Sequence, residues 1–173
     1  QQQWQRLFIP AYCMRAGAAT PTAGRQGISP YWSFDPDTQQ DVEFDVGLPL
    51  DWIAGSDAYA YPVFYTDVNL FAVVRWGLQY LGMIKGISIV SVPTVIEGNF
   101  QADGTGIVIP PKSEWLTLVG SSFAGGEPAF RRDDFTTIVN VQFKLYRAAA
   151  SALDNHPGAA RLLGLAIMYQ AFI

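Results

Sequence analysis

The chain has 173 residues, enough for one domain with a sizeable core. Half of them are apolar and only 15% are charged, against about 25% in an ordinary soluble domain. A monomer so poor in charge exposes wide apolar areas, so a subunit of an oligomer or larger shell is expected. The net charge is −4, and no Lys/Arg cluster exceeds Arg131-Arg132, which argues against nucleic-acid binding.

Gly and Pro are spread throughout, and short β-rich runs alternate with turn clusters, the pattern of an all-β chain. "QWQRLFIPAYCM" reads as a first strand from about Gln5 to Ile9, stopped by Pro10. "RAGAATPTAGRQGISP" reads as a long polar loop, either an arm over a neighbour or a mobile segment. Residues 1–30 are thus an N-terminal strand with an extended arm, and 31–173 the main domain. "QDVEFDVGLP" alternates: Val42, Phe44 and Val46 face one way, and Asp41, Glu43 and Asp45 the other. "YAYPVFYTD" is an aromatic strand in which Pro62 signals an edge or a bulge.

"NLFAVVRWGLQYLGM" is a longer strand. It sets Phe71, Val73, Arg75, Gly77 and Gln79 opposite Ala72, Val74, Trp76, Leu78 and Tyr80. "GISIVSVPTVIEGNFQADGTGIVIPP" holds two or three short strands. "SEWLTLVG" is a strand or a helical turn. "DFTTIVNVQFKLYRAA" alternates from Thr137 to Leu145. "ARLLGLAIMYQAFI" is a last strand, apolar on both faces. About eight strands and no long helix predict an all-β, single-domain jelly roll or two-sheet β-sandwich with a long N-terminal arm and loop. No repeat of fixed period suggests a propeller or solenoid.

Catalytic signals are weak. The single histidine, His156, lies among turn formers in "LDNHPG" and is expected to be a solvent-exposed loop residue. Asp154 is two residues away, but no Gly-X-Ser-X-Gly elbow accompanies them. One histidine and one cysteine cannot make a zinc site; Cys13 is expected as a small buried hydrophobe near a strand end. "DPDTQQD" lacks the glycine and distal glutamate of a calcium loop. Gly104-Thr105-Gly106 lacks a following helix and a Lys-Ser/Thr pair, so a turn is expected in place of a phosphate loop. No catalytic residue, cofactor or metal is expected, and the chain is not read as an enzyme.

No window reaches the ~20 apolar residues of a spanning helix, so no membrane is expected. "QQQWQR" is not a basic start followed by an apolar core, so no secretory leader is expected and synthesis in a reducing cytoplasm fits. The one binding signal is aromatic. Trp4, Trp32, Trp52, Trp76 and Trp115, with Tyr31, Tyr59, Tyr61 and Tyr65, form either a core and subunit interface or a sugar platform.

Two segments carry a resemblance. The first contains Leu48-Pro49-Leu50-Asp51-Trp52-Ile53-Ala54-Gly55-Ser56-Asp57, which fits an "lP-x-x-[WY]-x-x-G-[ST]-D" turn, followed by Val74-Arg75-Trp76-Gly77-Leu78-Gln79-Tyr80. The second runs from Leu145-Tyr146-Arg147-Ala148-Ala149 through Asp154 to a strand from Leu163 to Tyr169. Their order resembles the jelly-roll structural proteins of tailed bacteriophages, found as trimeric head decoration (cement) proteins and as domains of short fibres. The resemblance covers about the second quarter and last fifth of the chain.

It implies a homotrimer on the outer capsid surface of a virion, made in the host cytoplasm. Such a trimer would bind the major capsid protein and stabilise the head across neighbouring capsomers. The alternative is a trimeric fibre or tailspike domain that binds a host receptor or glycan. The family often carries histidines on the strand after the turn; here Pro62 and Phe64 stand there, implying an apolar axis. An Arg147–Asp154 salt bridge, or one from Arg147 to a neighbour, is a further implication. With the N-terminal anchors, the expected interface set is Trp4, Phe8, Pro62, Phe64, Arg75, Trp76, Arg147 and Asp154. Leu163, Leu165, Ile167 and Tyr169 are expected to face the core, and Leu162, Ala166, Met168 and Phe172 a second sheet or subunit.

Overall fold

A computed structural model describes residues 1–47, 49, 51–53, 56–84, 92–118 and 138–172. Among them are eleven strands: β1 (Gln2–Pro10), β2 (Arg15–Ala16), β3 (Thr22–Gln26), β4 (Ser29–Phe34), β5 (Asp41–Val46), β6 (Ala58–Thr66), β7 (Ala72–Ile84), β8 (Thr94–Ala102), β9 (Leu116–Leu118), β10 (Ile138–Arg147) and β11 (Ala160–Phe172). They form two antiparallel sheets. Sheet A has the order β3-β4-β11-β6-β9, with β1 also on β11; sheet B has the order β2-β5-β10-β7-β8. The strands β4 to β11 wind as a jelly roll, with β4, β6, β9 and β11 in one sheet and β5, β7, β8 and β10 in the other.

Alternation explains the packing. Val42, Phe44 and Val46 of β5, Val74, Trp76, Leu78 and Tyr80 of β7, and Val141, Phe143 and Leu145 of β10 are buried between the sheets. Trp76 meets Phe34 edge-on across the sandwich at 4.9 Å and Phe64 at 5.4 Å. Phe44 stacks on Phe143 at 5.3 Å. These rings fill the core at the density that a two-sheet sandwich needs.

The last strand differs from expectation in one physical detail. Its register against β6 shifts between Leu162 and Gly164, so a bulge at Leu163 breaks the period of two. Leu162 and Leu165 both enter the core, and Leu163 is only half-buried. Gly164 is needed just past the bulge, because a Cβ there would strike the Phe8 ring and the Ile9 carbonyl of β1. Pro62 is tolerated in β6 because β9 pairs only with Ala58–Ala60, leaving one flank of the strand without a continuous ladder.

The segment Arg15–Pro30, expected as a loop, instead supplies β2, β3 and the start of β4. The β3–β4 hairpin turns at Gly27, whose φ of 62° is a left-handed conformation suited to glycine. Cys13, expected buried, is exposed. "SEWLTL" combines both readings given to it: a 3-10 turn at Lys112–Glu114, then β9. Gly104 is a turn residue after β8, with φ 71°. Arg131-Arg132, Thr137 and much of "GISIVSV" lie outside the described residues, as do Leu48, Leu50, Ala54 and Gly55 of the turn motif.

Candidate binding face

The outer face of sheet A is aromatic. Alternation in β1 sends Trp4, Arg6 and Phe8 outward, with Trp4 and Phe8 each 39% exposed. Tyr59, Tyr61 and Tyr65 lie on the face of β6 opposite the core residues Ala58, Ala60 and Phe64. Trp115 follows the 3-10 turn and stacks on Tyr61 at 5.1 Å, fixed by an indole N–H donated to the Pro110 carbonyl at 3.0 Å. Tyr59 links Trp4 at 5.6 Å to Trp115 at 6.4 Å. The Lys112 ammonium stands 5.3 Å over the Trp4 ring and 5.9 Å over Tyr59.

The outer face of sheet B is polar and internally paired. Arg75 Nε donates to Glu97 Oε2 at 2.9 Å, and its Nη1 to Asn99 Oδ1 at 2.7 Å. The Tyr146 hydroxyl donates to Glu97 Oε1 at 2.7 Å. That hydrogen bond, with the Arg75 guanidinium, holds the Glu97 carboxyl below its ordinary value against the opposing effect of burial. Burial and the Glu97 carboxylate together push the Tyr146 hydroxyl up. Tyr146 lies flat over Gly77, where any Cβ would collide with its ring. Arg15 faces Glu43 and Asp45, and Lys144 faces Asp41.

The expected interface residues therefore separate. Trp4 and Phe8 share the outer face of sheet A. Phe64 and Trp76 touch each other in the core with no exposed surface, so neither is available to a partner. Pro62 is buried in β6. An apolar axis built from Pro62 and Phe64 is corrected by that burial. Arg75 belongs to the paired face of sheet B. The expected aromatic set also divides: Trp52 stacks on Tyr169 at 5.1 Å, and Trp32 donates its indole N–H to the Ala11 carbonyl at 3.1 Å.

Arg147 and Asp154 do pair, as a buried staple where β10 hands the chain to β11. Arg147 donates from Nε and Nη2 to the two Asp154 oxygens at 2.8 and 2.7 Å. It also reaches the Gly158 and His156 carbonyls at 2.7 and 2.6 Å. Asp154 accepts the Arg75 backbone N–H as well, at 3.0 Å. His156, expected exposed, is 2% exposed. The turn formers around it fold the loop onto β7, where the Asn155 and His156 N–H groups both donate to the Val73 carbonyl. His156 Nδ1 accepts the Gly158 N–H at 3.1 Å. Burial first, then the nearby Arg147 charge, depress its pKa below 6.5. Asp154 thus serves Arg147 and a backbone amide, not the imidazole, and the cluster is built to hold the loop.

The "P-x-x-W" turn is a second latch. Trp52 Nε1 donates to Ser56 Oγ at 3.1 Å, and the Ile53 N–H reaches the Gln170 carbonyl at 3.0 Å. The Tyr169 hydroxyl donates to Asp51 at 3.3 Å, and burial first, then the Asp51 charge, raises its pKa. Asp35 uses one carboxylate oxygen for the Asp37 and Thr38 amides, which makes "DPDT" a side-chain-capped turn. Among the described residues no group of three His, Cys, Asp or Glu side chains could hold a metal, and no helix is long and apolar enough to cross a membrane. The reading of individual residues did not single out Lys112 or Arg161, which only the fold brings against aromatic rings.

No protein-family model matches the chain, and no curated protein does. Among solved structures it is similar to part of a Paenibacillus sp. cycloisomaltooligosaccharide glucanotransferase complexed with cycloisomaltoheptaose. That likeness has 17% identity and a TM-score of 0.48, over 93% of this chain and 18% of the enzyme. It is also similar to the carbohydrate-binding module TmCBM61 in complex with β-1,4-galactotriose, with 12% identity, a TM-score of 0.33, and 96% and 86% of the two chains covered. Identities this low say nothing of a shared ligand.

Proposed function

We propose that this chain is a non-catalytic structural subunit of a tailed-bacteriophage virion. It would associate through the outer face of sheet A into a homotrimer that cements neighbouring capsomers of the head. The observation that carries the binding role is the contrast between its two outer faces. Sheet B meets water with paired charges, while sheet A presents Trp4, Phe8 and Phe172 on a chain with only 15% charged residues. The placement in a phage rests on the sequence resemblance, whose Arg147–Asp154 pair and Trp52 turn are structural latches here.

The mechanism is mechanical. Each contact removes apolar area from water at about 25 cal/mol per Å², less the cost of association. Symmetric repetition over the shell multiplies weak contacts into resistance to internal pressure.

A second reading is a trimeric fibre or tailspike domain that binds a host receptor or glycan. The exposed Trp4 ring, backed by the half-buried Tyr59 and Trp115, favours it, since an exposed ring stacks on sugar C–H faces as readily as on a protein partner.

The solution mass, followed by co-sedimentation with capsids stripped of minor proteins, tests the proposal. A trimer that rebinds capsids and raises their rupture temperature is expected. A trimer that ignores capsids and adheres to host cells would favour the fibre. A monomer that binds neither would sink both.

A further inference from the structure

Arg161 stands on the outer face of β11, opposite Ser33 of β4 and Tyr65 of β6. Its guanidinium carbon lies 5.0 Å from the Tyr31 ring centre and 5.7 Å from that of Tyr65, and the two rings meet edge-on at 6.1 Å. Arg15, Arg75 and Arg147 each have an acid partner. Arg6 and Arg25 have none among the described residues but are exposed to water. Arg161 differs from both groups. Its Nε is buried and makes no hydrogen bond, and the neighbouring Tyr65 hydroxyl is buried without a partner too. A buried cationic donor left unpaired is costly, and ring faces offset only part of that cost.

The two side chains that carry these atoms line an open pocket of about 390 Å³. Its other walls include the aliphatic Ile107 and Leu163, the neutral hydrogen-bonding Gln26, Ser29, Thr66 and Thr105, and the acid Asp67.

We infer that this cavity is a binding site for an acidic saccharide, a sugar residue bearing a carboxylate of the uronic- or sialic-acid type. The carboxylate would take the fixed guanidinium fork, for which Arg geometry is suited. Ring hydroxyls would meet Gln26, Ser29 and Thr105, and the C–H face would lie on Ile107 and Leu163. A sugar acid carries one anionic group, several hydroxyls and an apolar C–H face on a single ring, which matches this mixed lining. The site is separate from the Trp4–Trp115 surface and does not depend on whether the subunit sits on a head or in a fibre.

The test is calorimetric titration of the full chain with trigalacturonate and with sialyllactose. Neutral galactotriose and a tetraglutamate peptide serve as comparators. The site predicts that at least one acidic sugar binds at least tenfold more tightly than both comparators. It predicts a loss of tenfold or more in Arg161→Gln and an unchanged affinity in Arg25→Gln. Amide shift mapping on the unaltered protein guards against a misfolded variant: perturbations should centre on residues 26, 65, 105 and 161. The inference is overturned if neither acidic sugar binds, if a comparator binds as well, if Arg161→Gln binds normally, or if the shifts lie elsewhere.

Discussion

Arg75 and Arg161 occupy comparable outward positions on inner strands of the two sheets, yet their surroundings are opposite. Arg75 meets the Glu97 carboxylate, itself held by Tyr146, and the Asn99 amide oxygen within its own sheet. Arg161 meets two ring faces and an open cavity. The contrast extends across the faces. Sheet B pairs its outward charges internally and exposes Val95 beside them, while sheet A leaves several rings, a cation and aliphatic side chains available. A surface whose polar groups are already paired gains little from a partner; one whose groups are unpaired gains both desolvation and hydrogen bonds.

The strongest challenge to this comparison removes the staple on which both faces depend. Arg147→Ala should cost about 3–5 kcal/mol, because it strands Asp154 as a buried unpaired charge. Urea unfolding checks it, and an unchanged midpoint would show that the loop is held otherwise. On sheet A, Trp4→Ser with Phe8→Ser should weaken self-association by at least tenfold, about 1.4 kcal/mol, while unfolding stability falls by about 1–3 kcal/mol, since both rings are more than half covered within the chain. Sedimentation velocity over a concentration series measures the first quantity, and intact association would remove sheet A from the interface.

Acid separates the staple from the faces. The His156 pKa is depressed on folding, so the unfolded chain binds the proton more readily. Stability should be full above pH 6.5 and fall as pH drops below it towards the folded value. Glu97, also depressed, adds a second loss below pH 4.5. Melting temperatures from pH 8 to 4 should show the first decline, and His156→Gln should flatten it. The smallest effect is expected on sheet B. Arg75→Ala should cost within about 1 kcal/mol, since its pair is partly screened by water, and it should leave association untouched in the same sedimentation series.

How much was legible follows from where periodicity survives. β5, β7 and β10 each have one wet face, so their alternation marks both the strand and its buried side. β11 reads as a strand, but the bulge at Leu163 moves Leu162 inward, and no single-residue pattern announces a bulge. The β3–β4 hairpin was not visible because Thr22–Gln26 is small, polar and largely exposed. Arg147–Asp154 was reached only through the resemblance, since the six loop residues between them carry no geometric signal. Exposure of His156 was inferred from turn formers, which describe local backbone and say nothing of what the turn packs against. The Arg161 clamp draws on β4, β6 and β11, which are distant in sequence and meet only in the sheet.

One consequence concerns the order of assembly. β11 is synthesised after β1, β4 and β6, yet it is the strand that joins all three. Until it leaves the ribosome, those three strands have open edges facing an empty slot, and the aromatic surface they will share does not exist. Folding of sheet A therefore waits for β11 and requires long-range closure, the slow regime for β topologies. Association of copies through this face is thus opposed until β11 pairs, because the surface that would associate is not yet formed.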